Sequence, residues 1–466
     1  MEKLDSLDYE VIQTQRNDEL TALLDSHNMR TLKQRMEEMN EFDVAEFLSS
    51  IQDNRMPMVF RLLSKETASD VFANFDTADQ ERIINSMTDS ELAGIIEELY
   101  VDDAVDMMEE LPANVVKRVM RAATPQTRAL INQYLHYPED SAGSIMTAEF
   151  VDLKKYMSVR ESFARIRRIG EDKETIYICF VISSHRKLEG IVTVKDLLLS
   201  DDDTIIEDLM DRNVIFATTT EDQESVSAKF SDYDLMALPV VDTEGRLVGI
   251  VTVDDVIDVI EQETTEDFEL MAAMTPSDKP YSRTGIIEIW KNRIPWLMFL
   301  MLSATFTSMI LTHFEDMLAV QAALIAFIPT LMGTGGNSGA QASTAVIRSL
   351  SLGDTKTSDA WRVAWKEFRV AALCGITLAS VNFIKMLLLD GLIMHNNDIT
   401  VLIALSVSSA IFLIVIFAKV VGSMLPIAAE KIGVDPAVMA NPLISTVTDT
   451  VSLLIYINIA KIILHF

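Results

Sequence analysis

The sequence predicts a multidomain chain: an all-α superhelical solenoid, two α/β units in tandem, a connecting helix and a five-helix α transmembrane domain. Three observations predict it. Short helical blocks recur every 12 residues between positions 44 and 123, the motif Gly-apolar-apolar-Thr-x-x-Asp occurs twice at a spacing of 59 residues, and five long apolar segments follow residue 290. At 466 residues, the chain is long enough for several domains.

Charge is distributed very unevenly along the chain. The first 280 residues hold 27 of the 39 Lys and Arg but 59 of the 70 Asp and Glu, so this part carries a net charge of about −32. Such an excess argues against nucleic acid and anionic lipid as partners, and it makes the soluble part repel itself unless cations bind to it. Residues 281–466 are nearly neutral.

Residues 1–40 are predicted to be a polar, helix-compatible leader. Because the stretch MEKLDSLDYE has no apolar core, no signal peptide is predicted, and residues 1 to about 280 are expected to stay in the cytosol. Cys179 and Cys374 fall in different predicted domains, without a CxxC spacing or a nearby histidine. They are predicted to be small core residues, not a disulfide or a thiolate metal site.

Residues 41–136 are predicted to form a helical-repeat N-domain. Each 12-residue block has apolar residues at its fourth, fifth and eighth positions, as in Phe47, Leu48 and Ile51, apart from the small Ala123 in the last block. This spacing gives every two-turn helix one buried stripe, and such helices stack into a solenoid. A charged outer face is ordinarily solvated, which is the favoured interpretation of each acid on the other faces. These acids include Glu91, Glu97, Glu98, Asp102, Asp103 and Asp106.

Two α/β units are predicted next, at 137–202 and 203–262. Each combines a β-branched strand with the sequence GIVTVKD (190–196) or GIVTVDD (249–255), followed by a helical segment. The pair resembles tandem CBS domains, many of which bind adenine nucleotides and many of which bind none. In that fold, Thr and Asp contact ribose and phosphate where a helix starts. The resemblance makes ATP a candidate ligand, with contacts from Thr193, Asp196, Tyr177 and Asp234.

The connecting, or plug, segment is predicted at 263–290, and the helix that leads into it is dense in carboxylates. Asp255, Asp258 and Glu266 share one face of this helix, where like charges are unfavourable unless a cation neutralises them. Mg²⁺ prefers one or two carboxylates and several retained waters, so a loosely built Mg²⁺ site is plausible here. A solvated amphipathic helix is the alternative.

Five membrane spans are predicted within the pore domain, residues 291–466. Their approximate bounds are 292–313, 317–350 with an interruption, 366–389, 400–424 and 440–464. The loops HFED (313–316) and DGLIMHNND (390–398) carry no Lys or Arg, whereas the connection between the second and third spans is basic. By the positive-inside rule, the N-terminus lies in the cytosol and the C-terminus outside. The basic residues are Arg348, Lys356, Arg362, Lys366 and Arg369.

The second span contains a glycine-rich stretch, PTLMGTGGNSGAQ, at 329–341. Glycine-rich backbone at membrane depth is tolerated where its carbonyl groups are buried in protein or line a water-filled cavity. The amide side chains of Asn337 and Gln341 favour a cavity. A close-packing motif formed by Gly335 and Gly339 is the alternative.

The fifth span carries one acid, Asp449, about 14 Å into a hydrocarbon layer about 30 Å thick. Ser445, Asp449, Ser452 and Tyr456 recur at i, i+4, i+7 and i+11, so they form one polar stripe. A charge at this depth costs about 2.5–3.5 kcal/mol and is expected to face protein or a water-filled path. The hydroxyl groups of the stripe favour a hydrated cation as its partner. The alternatives are an ion pair with Lys385 or Lys419, or a permanently protonated carboxyl group.

These features together resemble the MgtE-type magnesium channel and transporter family over essentially the whole chain. The matching features, in order, are the acidic N-domain, YPEDSAG (137–143), two CBS units, the acidic connecting helix, GTGGNSGAQ (333–341) and GVDPAVMANPLISTVTD (433–449). The chain departs from the family pattern at Ala340, where Asn is usual. It also has DTVS from Asp449 onward, where a glycine often follows the aspartate within three residues.

The resemblance implies a homodimer in the bacterial inner membrane, with a pore on its two-fold axis. Asp449 matches the family's pore aspartate, which would hold partly hydrated Mg²⁺. The other residues assigned to the pore are Asn337, Gly335, Gly336, Ser445 and Thr448. The family's cytosolic Mg²⁺-sensing acids match Asp255, Asp258, Glu263, Glu266 and Asp267, and the best match in the N-domain is Glu91.

The predicted function is therefore a Mg²⁺-selective, Mg²⁺-gated channel for magnesium uptake, and not an enzyme. One alternative is a proton- or sodium-coupled transporter with Asp449 as the carrier. Another is an intramembrane aspartyl protease, for which the sequence offers no second intramembrane acid and no GxGD-type motif. A third is a nucleotide-sensing regulator with a passive membrane anchor, which would not need a broken second span or a polar fifth one.

Overall fold

A computed structural model shows two compact units, Met1–Val259 and Ile260–Phe466. The residues that it describes are 2–277, 281, 284–315, 322–393, 399–439 and 441–465, with side chains described from residue 13 onward except at 172, 322, 390–392 and 441. The start predicted for the second span, at 317–321, and most of the loop predicted at 390–398 lie outside the described residues.

In the described residues, one helix of 24 residues and nine short helices form the N-terminal part of the first unit, and the predicted 12-residue repeat is confirmed. The helices that begin at residues 65, 77, 89, 101, 113 and 125 start 12 residues apart, and Phe47, Leu48, Ile83 and Ile84 are fully buried at the predicted block positions. The ten helices are Glu2–Asp25, Met29–Glu37, Glu41–Ser50, Met56–Phe60, Lys65–Ala73, Thr77–Ser86, Asp89–Ile96, Val101–Glu110, Ala113–Ala122 and Pro125–Tyr134.

The solenoid core begins earlier than the sequence predicts. Leu20, Leu24, Leu32 and Met36 are buried in the same hydrophobic cluster as Phe47, so the second half of the predicted leader packs into the core of the N-domain. Beside these four buried residues, the partly buried Leu23, Met29 and Met39 pack against the same cluster, and all of them lie in a mostly polar stretch. Their polar surroundings explain why composition alone indicated a leader.

Two three-stranded sheets follow, one in each α/β unit. In each sheet the first strand is parallel to the second and the second is antiparallel to the third. The strands are β1 Phe150–Leu153, β2 Thr175–Ile182, β3 Leu188–Thr193, β4 Ala217–Thr218, β5 Ala237–Val241 and β6 Leu247–Thr252. The accompanying helices are Val159–Ile169, Val194–Leu199, Ile206–Leu209 and Gln223–Tyr233, with a 3₁₀ turn at Gly170–Asp172.

Apolar packing joins the two sheets to each other and to the N-domain. Phe180 of β2 and Ile250 of β6 share one buried cluster. Leu238 and Val251 of the second sheet belong instead to the cluster that contains the solenoid core. The N-domain therefore packs against the second α/β unit, and Cys179 is buried in the first sheet as a free cysteine.

The helix Val253–Met271 crosses the boundary between the two units, and five longer helices make up the rest of the second unit. We refer to these as the first to fifth membrane helices: Ile286–His313, Ile328–Ser351, Ala360–Lys385, Val401–Lys431 and Asn441–Leu464. Short 3₁₀ segments lie at Ala322–Phe327, Thr357–Asp359 and Pro436–Met439, and a π-helix at Met386–Ile393.

Among the described residues, four segments are long and apolar enough to cross a membrane, at 286–313, 357–389, 401–431 and 436–464. The second membrane helix is more polar, and it packs against the fourth and fifth helices. It runs without a break from Ile328 to Ser351. The predicted interruption within its glycine run is therefore wrong, and the irregular turn at Ala322–Phe327 precedes the run instead.

Candidate ion pathway and acidic cluster

The predicted polar stripe of the fifth membrane helix is confirmed, and it faces the second helix. A methyl group added at Gly336 would lie 3.3 Å from the Ser445 hydroxyl oxygen, and one at Gly335 would lie 2.6 Å from that of Ser452. The Tyr456 hydroxyl donates a hydrogen bond of 3.0 Å to the Leu324 carbonyl oxygen. Asp449 stands four residues after Ser445 and three before Ser452, so it lies on the same face, half-buried.

The glycines of the second helix allow close helix packing, which was the alternative to a cavity. A methyl group at Gly339 would lie 2.7 Å from Cγ2 of Ile444 and 3.2 Å from the Ala418 carbonyl oxygen. One at Gly422 of the fourth helix would overlap the Gly339 backbone. Because no side chain fits at these crossings, the run brings three helices together at the depth of the stripe.

The other face of the second helix lines an open groove of about 630 Å³. The groove is lined by Asn337, Ala340, Gln341, Thr344 and Ala345, all on this one helix. Asn337 and Gln341 are exposed there, as the cavity hypothesis requires, but the glycine run packs on the opposite side. The amide side chains of Asn337 and Gln341 therefore lie on one face of the second helix, and the closely packed glycines lie on the other.

Lys419 is buried in the fourth helix, where its Nζ donates a hydrogen bond of 3.4 Å to Oε1 of Gln341. None of the ion pairs formed by the described residues includes Asp449. The structure therefore gives Lys419 an amide partner and does not support its pairing with Asp449.

Thr448, which is predicted to line the pore, is buried in the fifth helix. Its hydroxyl group donates a hydrogen bond of 2.8 Å to the Ile444 carbonyl oxygen, so it has a partner within its own helix.

A second group of acids lies in the first unit, where we call Asp102, Asp103, Asp106, Glu174 and Asp255 the acidic cluster. The first three belong to the helix Val101–Glu110, Glu174 precedes β2, and Asp255 lies in the first turn of the helix Val253–Met271. Packing of the N-domain on the second α/β unit brings them together.

Burial and mutual repulsion raise the pKa values of the cluster. Burial, and then the charge of Asp255, raises the pKa of Asp103 to about 6 and that of Glu174 to about 7. Burial and the charge of Asp103 raise the pKa of Asp106 to about 7, although part of this side chain reaches solvent. These carboxylates repel one another when ionised, so a proton or a cation would stabilise the arrangement.

Asp102 has the strongest need for a counter-charge. Its Oδ1 atom is buried and makes no hydrogen bond with the described residues, and burial with the charge of Asp103 raises its pKa well above the usual value. At Asp255 burial also raises the pKa, while a hydrogen bond of 2.6 Å from the Thr252 hydroxyl opposes the shift. The cluster is therefore only partly compensated by its own neighbours.

The sequence indicated solvated acids at Asp102 and Asp103, and the structure corrects this because both are half-buried. The upstream acids of the same repeats have partners on other helices of the N-domain instead. Glu91 accepts a hydrogen bond of 3.0 Å from Arg61 and Glu97 accepts one of 3.1 Å from the Thr124 amide, while Glu98 pairs with Lys65.

Glu91, the N-domain acid predicted to sense Mg²⁺, has a capping role. It completes a capping box with Thr88 at the start of the helix Asp89–Ile96. The backbone hydrogen bond from Thr88, followed by that from Arg61, lowers the pKa of Glu91 to about 2. Its predicted role as a metal ligand stays a prediction.

The second half of the connecting helix contacts the membrane domain. Leu270 and Met271 pack with Ile347 of the second membrane helix and with Ala437. Asp267 lies close to this contact: burial and the charge of Asp435 raise its pKa, and the Ser351 hydroxyl donates a hydrogen bond of 3.4 Å to it. The predicted sensing acids Asp258, Glu263 and Glu266 lie on the same helix, and Asp258 adds to the charge felt by Asp255.

No three acidic, histidine or cysteine side chains among the described residues are close enough to hold one metal ion directly. The donor set nevertheless suits Mg²⁺, because this ion commonly keeps most of its waters and binds through one or two carboxylates.

The four candidate nucleotide contacts belong to the two CBS-like units. Thr193 and Asp196 form a capping box, with hydrogen bonds of 2.5 Å between their side chains and 3.1 Å from the Asp196 amide to the Thr193 hydroxyl. In the second CBS-like unit, the Thr252 hydroxyl donates the corresponding side-chain hydrogen bond to Asp255, at 2.6 Å. Tyr177 is 67% exposed, and Asp234 ends a helix in the left-handed conformation with φ 51°. Nucleotide binding stays a prediction.

Comparison with known proteins accounts for this arrangement. The family model described as the MgtE intracellular N domain matches residues 39–140, CBS domain models match 142–202 and 206–262, and the MgtE divalent cation transporter model matches 328–459. The magnesium transporter MgtE of Thermus thermophilus is 37% identical over 450 residues, which cover 96% of this chain and 98% of the relative. The chain belongs to the MgtE family.

Other members of the MgtE family and two solved structures agree with this assignment. The magnesium transporter MgtE of Bacillus subtilis is 29% identical over 96% of this chain and 97% of its own length. A crystal structure of the soluble part of a magnesium transporter covers 54% of this chain and 99% of that structure, at 29% identity and a TM-score of 0.52. A second crystal structure, of the cytosolic domain of the Mg²⁺ channel MgtE in complex with ATP, covers 52% of this chain and 99% of that structure. Its identity is 35% and its TM-score is 0.50.

The MgtE architecture of helical N-domain, tandem CBS domains and helical membrane region is thus confirmed for this chain. It is a membrane protein of a magnesium transport family, and its close relatives are named as transporters, not enzymes.

Proposed function

We propose that this MgtE-family protein is a Mg²⁺-selective, Mg²⁺-gated channel for magnesium uptake that works as a homodimer. The observation that carries the proposal is the position of Asp449, half-buried on a stripe of hydroxyl groups that faces the glycine run of the second helix. The names of its relatives support magnesium as the transported ion.

The stripe suits an ion that keeps its water. Asp449 supplies a negative charge, while Ser445 and Ser452 supply hydroxyl groups within one turn on either side. The Ser452 hydroxyl oxygen is buried and has no hydrogen-bond partner among the described residues. A carboxylate with nearby hydroxyl groups can bind Mg²⁺ through its retained waters, and selectivity then rests on ion size and charge.

A second copy of the chain would complete the pathway. The groove that contains Asn337 and Gln341 is lined by one helix only, and a partner related by a two-fold axis would close it with the same residues. Gly335 and Gly336 are included in the proposed pore on the Asp449 side of the second helix, and Thr448 on the fifth helix, so these three residues lie outside the groove. The N-terminus lies in the cytosol and the C-terminus outside, as the basic connection after the second helix favours.

The acidic cluster is the proposed Mg²⁺ sensor. At high cytosolic Mg²⁺, hydrated ions neutralise Asp102, Asp103, Asp106 and Glu174 together with the acids that the family resemblance assigns. The compact form is then stable and the pore is closed. At low Mg²⁺ the carboxylates repel one another over about 8–10 Å at physiological salt, and the pore opens. The assigned acids are Asp255, Asp258, Glu263, Glu266, Asp267 and Glu91.

ATP is proposed to bind at the CBS domains, because the cytosolic domain of a relative is described in complex with ATP. Thr193, Asp196, Tyr177 and Asp234 are the proposed contacts. Calorimetric titration of ATP into the full-length protein tests this, with Thr193→Ala expected to weaken binding at least tenfold. An unchanged affinity in that variant would remove Thr193 from the site.

A proton- or sodium-coupled transporter is the second candidate. It is favoured by the lack of an ion-pair partner for Asp449 among the described residues, since such a carboxylate can exchange a proton. Magnesium currents that persist without a proton or sodium gradient would rule out coupling.

The deciding experiment measures Mg²⁺ current or flux in reconstituted membranes as cytosolic-side Mg²⁺ is stepped from near zero to about ten millimolar, which saturates millimolar sites. The wild type is expected to conduct and then close, and Asp449→Asn to lose Mg²⁺ conduction. Asn458→Ala, an exposed polar position on the same helix, is the matched control and is expected to conduct normally. If Asp449→Asn conducts like the wild type, the pore assignment is wrong.

The sensor is tested separately with Asp255, Asp258 and Glu266 all changed to Ala. This triple variant is expected to conduct at low Mg²⁺ and to require a higher concentration for closure. Unchanged Mg²⁺ inhibition would refute the sensor assignment and leave the pore assignment intact.

A further inference from the structure

The third membrane helix begins with two parallel rows of exposed side chains. Trp361, Trp365 and Phe368 recur at i, i+4 and i+7, and Arg362, Lys366 and Arg369 repeat the same spacing one position later. All six residues are exposed, including Trp361 at 82% and Trp365 at 53%. We call these six residues the aromatic–basic stripe.

Local contacts order the stripe. The rings of Trp365 and Phe368 stack with centroids 5.5 Å apart and an interplanar angle of 10°. The Arg369 guanidinium lies 6.0 Å from the centroid of the Trp365 ring. On the opposite side of the helix, Ala360 and Val363 pack against a buried cluster that contains Leu350. The packed side fixes the helix, so the stripe faces away from the protein.

The length of the helix places the stripe at the edge of the membrane. Its 26 residues extend roughly 39 Å, longer than a hydrocarbon layer of about 30 Å, and the apolar part begins only at Val370. The first two to three turns therefore lie at the level of the lipid headgroups. Tryptophan and arginine are the side chains typical of that depth.

The charges around the stripe favour an anionic partner. Arg362 approaches Asp359 at 3.4 Å, and the one acid within the stripe's own turns, Glu367, is half-buried on the packed side. Lys366 and Arg369 keep their charge exposed. An anionic phospholipid would contact both rows, because its phosphate group can lie between the basic side chains while its acyl chains lie beside the aromatic rings. An acidic protein surface would pair with the basic row only and leave the aromatic rings in water.

We propose that the aromatic–basic stripe binds the headgroups of anionic phospholipids in the cytosolic leaflet. The leaflet rests on the orientation given under the proposed function, but lipid binding itself does not depend on Mg²⁺ transport. Each exposed cation near an anionic surface corresponds to about a fivefold enrichment of anionic lipid, and this enrichment falls as salt is added.

Tryptophan quenching by brominated lipids tests the proposal on the full-length protein. The chain has 4 tryptophans. The variant Trp290→Phe/Trp296→Phe therefore leaves only Trp361 and Trp365 as reporters. This protein is reconstituted in phosphatidylcholine vesicles with increasing brominated phosphatidylglycerol, or with increasing brominated phosphatidylcholine. The relative affinity is expected to favour phosphatidylglycerol by fivefold or more at low salt.

Three further variants identify the cause. Arg362→Gln/Lys366→Gln/Arg369→Gln is expected to bring the affinity ratio to about 1. Lys385→Gln, at the other end of the same helix, is expected to leave the ratio unchanged, as is Arg362→Lys/Arg369→Lys, which keeps the charge. If the triple variant does not fold, Lys366→Gln alone replaces it and is expected to lower the affinity ratio, whereas an unchanged ratio in that variant would overturn the proposal.

Three results would overturn the proposal. One is equal quenching by the two lipids in the starting protein. Another is a preference for phosphatidylglycerol that survives the triple substitution. A third is negligible quenching by both, which would show that protein, and not lipid, covers the stripe. Mg²⁺ flux plays no part in this readout, so failure here and failure of the proposed channel are distinguishable.

Discussion

The Ser452 hydroxyl oxygen occupies the space that a methyl group on Gly335 would need. The distance from that methyl carbon to Oγ of Ser452 would be 2.6 Å, and the distance to Cγ2 of Ile414 would be 2.9 Å. The second, fourth and fifth membrane helices thus meet at a position that leaves no room for a methyl group on Gly335.

Gly335→Ala is therefore expected to separate the second and fifth helices. Overpacking of this kind costs about 1–3 kcal/mol, and it would also displace the stripe that contains Asp449. We expect a lower thermal unfolding temperature in detergent and reduced Mg²⁺ flux. Gly333→Ala is the control, because a methyl group at Gly333 has no neighbour within 4 Å. Equal stability of the two variants would contradict this packing.

Tyr456→Phe tests the hydrogen bond from the fifth helix to the turn that precedes the second. Losing the hydroxyl leaves the buried Leu324 carbonyl oxygen without this donor, which typically costs about 1–3 kcal/mol. Thermal unfolding of the full-length protein measures the loss. Tyr281→Phe, at an exposed tyrosine, is expected to change nothing. If both variants unfold alike, the Tyr456 bond does not stabilise the membrane domain.

The acidic cluster predicts how stability depends on pH. The folded-state pKa values of Asp103, Asp106 and Glu174 are about 6 to 7, above the values of the unfolded chain, so the folded state binds more protons between about pH 4 and 7. The stabilisation is complete below about pH 4 and is lost as pH rises through 6 to 7. Thermal unfolding with a Mg²⁺ chelator present is therefore expected to occur at lower temperature at pH 8 than at pH 5.

Addition of Mg²⁺ at pH 8 is expected to restore most of this stability, because the ion replaces the lost protons as counter-charge. A chelated protein whose stability is constant or increases from pH 5 to pH 8 would show that the cluster is not repulsive.

Asp103→Asn removes one charge from the cluster. At pH 8 without Mg²⁺ it is expected to stabilise the protein by about 1–3 kcal/mol, since one unit of pKa shift corresponds to about 1.4 kcal/mol. It is also expected to flatten the pH dependence. The control is Asp232→Asn, at an exposed acid of the second CBS domain. Thermal unfolding of both variants with and without Mg²⁺ provides the comparison, and destabilisation by Asp103→Asn would refute a repulsive role.

Local patterns were sufficient to predict most of the fold. The 12-residue spacing placed Met107 and Met108 on a buried face, and the repeated Thr-x-x-Asp motif located the start of a helix in each CBS domain. The spacing from Ser445 to Tyr456 likewise gave the correct face of the fifth helix. In each case the determining residues lie within a few turns of one another.

Features that depend on distant residues could not be predicted in this way. Asp102 and Asp103 lie near the charge of Asp255 because the N-domain packs on the second α/β unit, and nothing in the sequence around residue 102 signals that packing. Likewise, a glycine run is compatible with either a broken or a continuous helix. The outcome depended on the neighbours Ile414 and Ile444, which are supplied by two other helices.

The repeated hydrogen bond between Thr and Asp at a helix start has a consequence for mutational studies of the acidic cluster. Asp196 and Asp255 each anchor the first turn of a helix, so replacing Asp255 loosens local backbone as well as removing one charge from the acidic cluster. Because Asp196 occupies the equivalent position in the first CBS domain, its substitution is a reference for separating the loss of the helix anchor from the loss of charge. With ATP absent, so that the proposed nucleotide contact of Asp196 plays no part, the loss of stability caused at position 196 estimates the architectural part, and the difference from it at position 255 measures the part that belongs to charge.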